Sequence, residues 1–290
     1  RGTGKEEGLI MFRPTRAELD ALLAEDTPHG DLTTEALGIG ERGAVMRFTA
    51  RDPQVVAGIA IARGLIELAG GRVATLAADG ERVAAGTALL SAEGPAAALH
   101  RAWKTAQTTM ELLGGIATAA REVVEAAVVG GRRVPVACTR KTFPGARRFQ
   151  LAAIRAGGCV VHRTGLSETV LVFAEHRAFL GDEAAEATVA RLRAACPEKK
   201  LVIEVATPDH AARAAAAGFD VIQMEKFTVG QVAETAALVK PGWPAVVLAS
   251  AGGISPANAA DHVRAGADML VTSWPYTARP RDVQVTIEPA

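Results

Sequence analysis

Four basic residues arrive in two pairs, each just after an apolar run: Arg140-Lys141 in TRKTFPGARR (Thr139–Arg148) and His162-Arg163 in HRTGLSET (His162–Thr169). Guanidinium groups grip carboxylate or phosphate bidentately and lysine adds a point charge, so two such pairs brought together would hold a polyanion. Solvated loop charges paired with nearby acids are the alternative, and they suit a single basic residue better than two dibasic pairs. Two carboxylates have a matching placement, Glu204 near the end of LVIEV and Glu225 after DVIQM. A carboxylate pair beside phosphates usually holds Mg²⁺, which keeps most of its waters and bridges to the ligand. Equally, the two acids neutralise Lys226, Arg140 or Arg163. The stretch ASAGGIS (Ala249–Ser255) sets Gly252 and Gly253 ahead of a helix expected to open at Ser255-Pro256. N–H groups exposed by glycine, together with a helix N-terminus, form a phosphate cradle.

Positioning these groups requires a scaffold, and the chain supplies a rhythm for one. From Val134 onward, short apolar runs (VPVAC, CVVH, ETVLVF, LVIEV, DVIQM, AVVLA, DMLV) alternate with helix-length segments. Runs of that kind are buried parallel strands. The intervening PDHAARAAAAG, TVGQVAETAALV and SPANAADHVRAG open on Thr, Ser or Pro-Asp, and two close on Ala-Gly, as crossover helices do. The expected fold is α/β, an incomplete β/α barrel. Thr139-Arg140-Lys141, His162-Arg163, Glu204, Glu225-Lys226, Ser250 with Gly252-Gly253, and Thr272-Ser273 all fall at or just past strand C-terminal ends. In such barrels those ends converge on one mouth, where the chemistry sits.

The region before Val134 reads differently. TRAELDALLAED is a capped amphipathic helix, followed by strand-like AVMRFTA, VVAGI, RVATLA and TALLSA between Gly-rich turns, a smaller α+β sandwich. Pro95–Val129 is Ala-rich and helix-periodic, and Gly114-Gly115 predicts a break into two helices. The expected division is an N-terminal domain over 11–117, to which a strand at 280–290 returns, and a barrel domain over 118–279. The opening RGTGKEEGLI has no periodicity and reads as an expression remnant or frayed tail.

Composition narrows the function classes. Lys+Arg and Asp+Glu balance at 32 each, so any anion site is local, and no field favours nucleic acid or an anionic membrane. Cys138, Cys159 and Cys196 show no C-x-x-C spacing, so neither a disulfide framework nor a zinc site is indicated, and a reducing cytoplasm fits. The uncharged run Pro241–Ala260 reaches spanning length, but its prolines and glycines make it strand, turn and helix start. No signal peptide is legible.

With these residues placed, the chain resembles the nicotinate-nucleotide pyrophosphorylase (quinolinate phosphoribosyltransferase) family along nearly its whole length. The stretches that carry the resemblance are EDTPHGDLTT (Glu25–Thr34), GGIAT (Gly114–Thr118), TRKTFPGARR leading to AIRAGG, HRTGLSET, IEVAT and ASAGGI. The resemblance implies phosphoribosyl pyrophosphate and Mg²⁺, and a homodimer, or a higher oligomer built from dimers, in which the small domain of one subunit covers the barrel mouth of the other. It assigns Arg140, Lys141, His162 and Arg163 to a pyridine dicarboxylate, Glu204 and Glu225 to metal and ribose, and Ser250, Gly252, Gly253, Thr272 and Ser273 to the 5′-phosphate. Lys104 falls where the family has an arginine supplied across the dimer interface.

The chain also departs from the family pattern. Phe173 and Ala174 in LVFAEH stand where enzymes of NAD synthesis carry a substrate-pocket lysine and an aspartate. Ala249 replaces a usual glutamate, and Lys226 a common asparagine. These changes, with AWKTAQ and TSWPY, resemble the ModD branch, which is encoded with molybdate transport genes. The implied activity is phosphoribosyl transfer to an aromatic acid, by default quinolinate, in an altered pocket. A non-catalytic binder of an oxyanion or phosphometabolite in molybdenum handling is the alternative from another class. Some other phosphate-binding β/α barrel fits ASAGGI but not the two basic stretches.

Overall fold

The computed structural model describes residues 12–290, so the opening tail and Met11 lie outside the described residues. The chain divides into two compact units, one running to Ala117 and taking in Arg279–Ala290, the other Thr118–Ala278.

In the first unit α1 (Arg16–Asp26) opens on a capping box: Glu18 N–H donates to the Thr15 hydroxyl, and the Glu18 carboxylate accepts from the Thr15 N–H at 2.7 Å. Strand β1 (Gly43–Ala50) alternates, burying Ala44, Met46, Phe48 and Ala50, as a sheet packed on one face requires. Helix α2 (Ile59–Ala69) buries Ile61, Ala62, Leu65 and Ile66. With β2 (Arg72–Thr75), β3 (Ala88–Pro95) and the last strand of the chain, β1 forms an antiparallel four-stranded sheet; the last strand, Val283–Pro289, pairs with β1 from Ala44↔Pro289 to Ala50↔Val283.

Helix α3 (Ala96–Ala126) is one continuous helix of 31 residues, which corrects the two helices expected from Gly114-Gly115. The glycines are there for close approach. A Cβ on Gly114 would overlap the Gln54 side-chain oxygen, and one on Gly115 the Arg279 carbonyl oxygen. The helical cost of glycine, about 1 kcal/mol each relative to alanine, is offset by packing that only glycine permits.

The second unit is a curled, wholly parallel seven-stranded sheet. Its strands are β4 (Val136–Cys138), β5 (Val160–Val161), β6 (Val170–Val172), β7 (Leu201–Val205), β8 (Val221–Glu225), β9 (Val247–Ala251) and β10 (Met269–Thr272), in the order β6-β7-β8-β9-β10-β4-β5. Helices α4 (Arg147–Ala156), α5 (Ala174–Arg177), α6 (Ala185–Ala195), α7 (Pro208–Ala217), α8 (Val229–Val239) and α9 (Ala259–Arg264) connect them. Thr207 caps α7, Gly218 ends it in the left-handed region at φ 98°, and Thr228 with Gln231 forms a capping box on α8. Alternate strand residues Ala137, Leu171, Val202, Val221, Ala249, Ala251 and Val271 form the interior layer. Three of these seven are alanines, so space is left above them. The last strand of the chain, in the first unit, is β11 (Val283–Pro289).

Helix α9 begins at Ala259, four residues later than Ser255-Pro256 predicts. The cause is Asn258, whose Oδ1 accepts from the Ser255 N–H at 2.9 Å while its Nδ2 donates to the Gly253 carbonyl at 3.0 Å. A closed turn replaces the first helical turn, so the glycines do not lead straight into a helix N-terminus.

Gly115→Ala is expected to destabilise the protein by about 1–3 kcal/mol, the usual range for forced overpacking. Urea denaturation would read this as a lower midpoint at unchanged slope; an unchanged midpoint would show that the helix can give way at Arg279.

Candidate active site

A cavity of about 740 Å³ lies at the C-terminal ends of the parallel strands. Among its lining residues are Arg140, Lys141, His162 and Arg163 on one side, Glu204 and Glu225 on another, and Gly252-Gly253 with Thr272-Ser273 between, with Phe173 beside Leu171. Strand order makes this arrangement. The acids sit at the C-terminal ends of neighbouring strands β7 and β8, and the basic pairs follow neighbouring strands β4 and β5.

The basic side is held by backbone and side-chain bonds. The Thr139 N–H donates to the Thr272 carbonyl at 2.9 Å, and the His162 N–H to the Cys138 carbonyl at 3.0 Å. The Tyr276 hydroxyl donates to the Thr139 carbonyl at 3.1 Å, fixing the strand exit just before Arg140, and burial is the main reason its phenol is held protonated. Arg147 ties the two basic loops together, Nη1 donating to the Thr164 carbonyl at 3.0 Å and Nε to the Thr142 hydroxyl at 3.4 Å. Arg163 is only 6% exposed, has no acidic partner among the described residues, and lies 5.5 Å from the centroid of the Phe173 ring. Burial, then the nearby Arg140, lowers the Arg163 pKa, and burial with Arg163 lowers that of His162.

On the acidic side, burial and then the charge of Glu225 raise the Glu204 pKa, with Glu175 adding to the rise. Gln223, on β8 beside Glu204, donates from Nε2 to Glu204 Oε2 at 3.0 Å, while its own Oε1 is buried with no partner. Arg177 Nη1 donates to the Glu204 carbonyl at 2.8 Å.

Gly252 and Gly253 both lie in the left-handed region, at φ 84° and 78°. A Cβ on Gly252 would stand 2.8 Å from Glu225 Oε1 and 2.9 Å from the Lys226 nitrogen, so only glycine lets this turn reach the acids. Lys226 is itself at φ 56°, its N–H donating to the Ala251 carbonyl at 2.7 Å.

Ser250, expected in the site, lies elsewhere, and Lys104, expected to act across a dimer interface, stands on the first unit. Ser250 does not line the cavity; it is fully buried, with Oγ 2.8 Å from His262 Nδ1 on α9, because its side chain alternates to the outer face of β9. Lys104 is an exposed residue of α3 in the first unit, Nζ 2.9 Å from Gln107 Oε1 and 4.9 Å from the centroid of the Trp103 ring. Thr272 lines the cavity, but its buried hydroxyl is engaged, donating to the Ile254 carbonyl at 2.6 Å and accepting from the Trp274 N–H at 2.9 Å. Glu175, Gln223, Trp274 and Tyr276 went unread in the sequence. Only Gln223 had a signal, an amide inside the apolar strand DVIQM.

A unit built on an antiparallel sheet, and an open parallel half-barrel whose mouth is divided between cations and carboxylates, define an α/β protein with a charge-sorted cavity. The chain belongs to the quinolinate phosphoribosyl transferase family: the model of that family's N-terminal domain matches residues 31–113 and the model of its C-terminal domain residues 116–286. It is 46% identical over 256 residues to a Rhodobacter capsulatus protein named "Putative pyrophosphorylase ModD", covering 88% of this chain and 98% of that one. It is 32% identical over 264 residues to the nicotinate-nucleotide pyrophosphorylase [carboxylating] of Mycobacterium leprae, covering 89% and 92%. Among solved structures, NadC from Streptococcus pyogenes superposes with a TM-score of 0.86 at 26% identity, covering 94% of this chain and 96% of that one. No helix of the described residues is long and apolar enough to cross a membrane.

The lowered pKa of His162 gives a signed pH dependence. Near pH 7 the imidazole is neutral; as pH falls through its depressed value it adds a cation to the mouth. Sulfate, whose charge is constant over this range, is expected to bind more tightly as pH falls from neutrality through that depressed value, and His162→Asn to remove part of that gain. Folding responds with the opposite sign, since the unfolded chain protonates first, from about pH 6.5 downward, and is favoured there. Calorimetric sulfate titrations across the range check the first effect; identical pH slopes in the two proteins would contradict it.

Proposed function

We propose that the protein is a pentosyltransferase that moves the phosphoribosyl group of phosphoribosyl pyrophosphate to the ring nitrogen of an aromatic carboxylic acid, releasing pyrophosphate. The default acceptor is quinolinate, which gives nicotinate mononucleotide, CO₂ and pyrophosphate. One observation carries the reading: a single cavity presents a cationic wall and a carboxylate wall, with a glycine turn between them. The family membership and the resemblance to nicotinate-nucleotide pyrophosphorylases support it.

In this reaction the basic wall holds the acceptor's carboxylate and so aims the ring nitrogen. The nitrogen attacks ribose C1 with its lone pair, the bond to pyrophosphate breaks, and its electrons leave with pyrophosphate. C1 gains positive character on the way, which the carboxylates of Glu204 and Glu225 stabilise. Catalysis is therefore positioning and electrostatics. With quinolinate, the 2-carboxylate then leaves as CO₂ and a proton takes its place. Gly252-Gly253 and the Thr272-Ser273 turn serve the 5′-phosphate.

The donor set fits Mg²⁺. Two carboxylates face the cavity beside the partnerless carbonyl oxygen of Gln223, an all-oxygen set. Among the described residues no three His, Cys, Asp or Glu side chains gather to hold a metal, which suits an ion that takes one or two carboxylates and completes its shell with water and substrate phosphates. Glu204 and Glu225 would hold it, and when bound it neutralises charge on the pyrophosphate.

The proposed working form is a cytoplasmic homodimer in which Lys104 reaches the partner's site. Exposed Phe143, Leu166 and Phe179, at 72%, 74% and 90%, lie on segments that follow β4, β5 and β6 and favour a cover over them. Links to NAD biosynthesis and to molybdenum remain part of this proposal, resting on the family and on the ModD name of relatives.

Incubation with phosphoribosyl pyrophosphate, Mg²⁺ and a panel of pyridine carboxylates, with pyrophosphate release as the readout, tests the reaction. Turnover is expected, with Arg140→Ala lowering kcat/KM by about 30-fold or more, equivalent to at least 2 kcal/mol. Binding of phosphoribosyl pyrophosphate or molybdate with no turnover of any acid would favour the non-catalytic binder instead. The dimer has its own check. Lys104→Ala and Arg140→Ala proteins, each impaired, are expected to recover partial activity when co-expressed, because one mixed site is then intact; no recovery would remove Lys104 from a shared site.

A further inference from the structure

A second cavity, of about 480 Å³, opens on the outer face of the half-barrel, away from the interior layer. Val172 and Ile203 face each other in register on β6 and β7, one residue out of phase with the interior Leu171 and Val202, so they point to the opposite face. With Phe219 from the loop after α7 they form a buried apolar floor. A cavity of this size accommodates a small organic molecule.

The rim is charged, and the charges are unevenly engaged. Of the acids, Glu183 is occupied: its Oε1 accepts from the Thr188 hydroxyl at 2.7 Å and from Arg191 Nη2 at 2.8 Å. Glu186 is exposed at the edge. Of the cations, Arg213 is exposed and paired with Asp209. Arg177 is half-buried and has no acidic partner among the described residues, its contact being the backbone carbonyl of Glu204. His210 lies with them, its pKa lowered by burial and then by the positive charges of Arg177 and Arg213. One guanidinium that makes no salt bridge among the described residues and spends one N–H on a backbone carbonyl, above an apolar floor, matches a ligand with one negative charge and an apolar body. A phosphate dianion would need more donors than this rim offers.

We propose that this cavity is a second small-molecule site, separate from the barrel mouth, that takes an apolar monocarboxylate, with its carboxylate on Arg177 and its body against Val172, Ile203 and Phe219. The inference does not rest on the proposed reaction.

Calorimetric titration with 2-naphthoate tests it, using the 290-residue chain carrying Arg163→Gln to weaken the barrel mouth for carboxylates. One equivalent is expected to bind. Adding Arg177→Gln removes the cation, and adding Ala216→Trp fills the cavity from an exposed position of α7; each is expected to weaken binding by about tenfold or more. No binding to the Arg163→Gln protein, while the unaltered chain binds, would place the ligand at the barrel mouth and overturn the proposal. So would no binding to either protein, or affinity indifferent to both added substitutions.

Discussion

A guanidinium buried without an acidic partner shapes the second unit. The half-barrel sheet ends at β5 on one side and β6 on the other, and these two edge strands do not pair with each other. Arg163 follows β5 and Phe173 follows β6, so their contact at 5.5 Å spans the seam where a closed barrel would have hydrogen bonds. A cation over an aromatic face gains about 0.5–2 kcal/mol, more as it is desolvated. That is less than the several kcal/mol a buried charge costs. An anion in the mouth would relieve the remainder, so the contact that bridges the open seam also leaves a charge there for a ligand to meet.

Charge at the mouth is sorted by strand order rather than by sequence distance. Arg140 and Thr272 are far apart in the chain, yet β4 and β10 are hydrogen-bonded neighbours. Burial and then the charge of Glu225 raise the Glu204 pKa, and burial and then the charge of Arg163 lower that of His162. Each wall thus carries like charges held partly out of water, which a ligand with negative and positive ends would offset. The alanines of the interior layer leave room for one. Arg147 and Tyr276 keep the cationic wall in place through backbone carbonyls, so the mouth depends on bonds that carry no charge to the ligand.

Features set by local rules were legible in the sequence. Apolar runs marked the parallel strands because both faces of each are covered, and Pro208-Asp209 and Thr228 marked helix starts because proline suits the first helical turn and a hydroxyl beside free N–H groups caps one in any fold. What escaped depended on partners remote in the chain. Gly114 and Gly115 read as a helix break until Gln54 and Arg279 were found against them. Asn258 delayed α9 by closing a turn on Gly253. Ser250 lies beside two residues of the interior layer, and one step of strand alternation turned it outward to His262. The four basic residues and two carboxylates did converge on one cavity, whereas the role of Tyr276 rests on a single carbonyl that no pattern announces.

Phe173 changes the make-up of the cationic wall. In the family pattern that position carries a lysine, which would stand beside Arg163 as a second cation and be stable only with an anion between them. Phenylalanine instead offers its ring face to Arg163 and stacks on His176, with centroids 5.8 Å apart. The mouth has one like-charge contact fewer than a lysine would bring, and its cationic wall consists of Arg140, Lys141, His162 and Arg163. Under the proposed reaction, an acceptor carboxylate directed at Phe173 would lose a desolvated charge partner, at a cost of about 2–5 kcal/mol. An acceptor with an uncharged group there would lose nothing and would gain apolar contact with the ring. Under the same proposal, phenylalanine at this position would move selectivity away from a pyridine dicarboxylate, with the carboxylate pair and the glycine turn still lining the mouth.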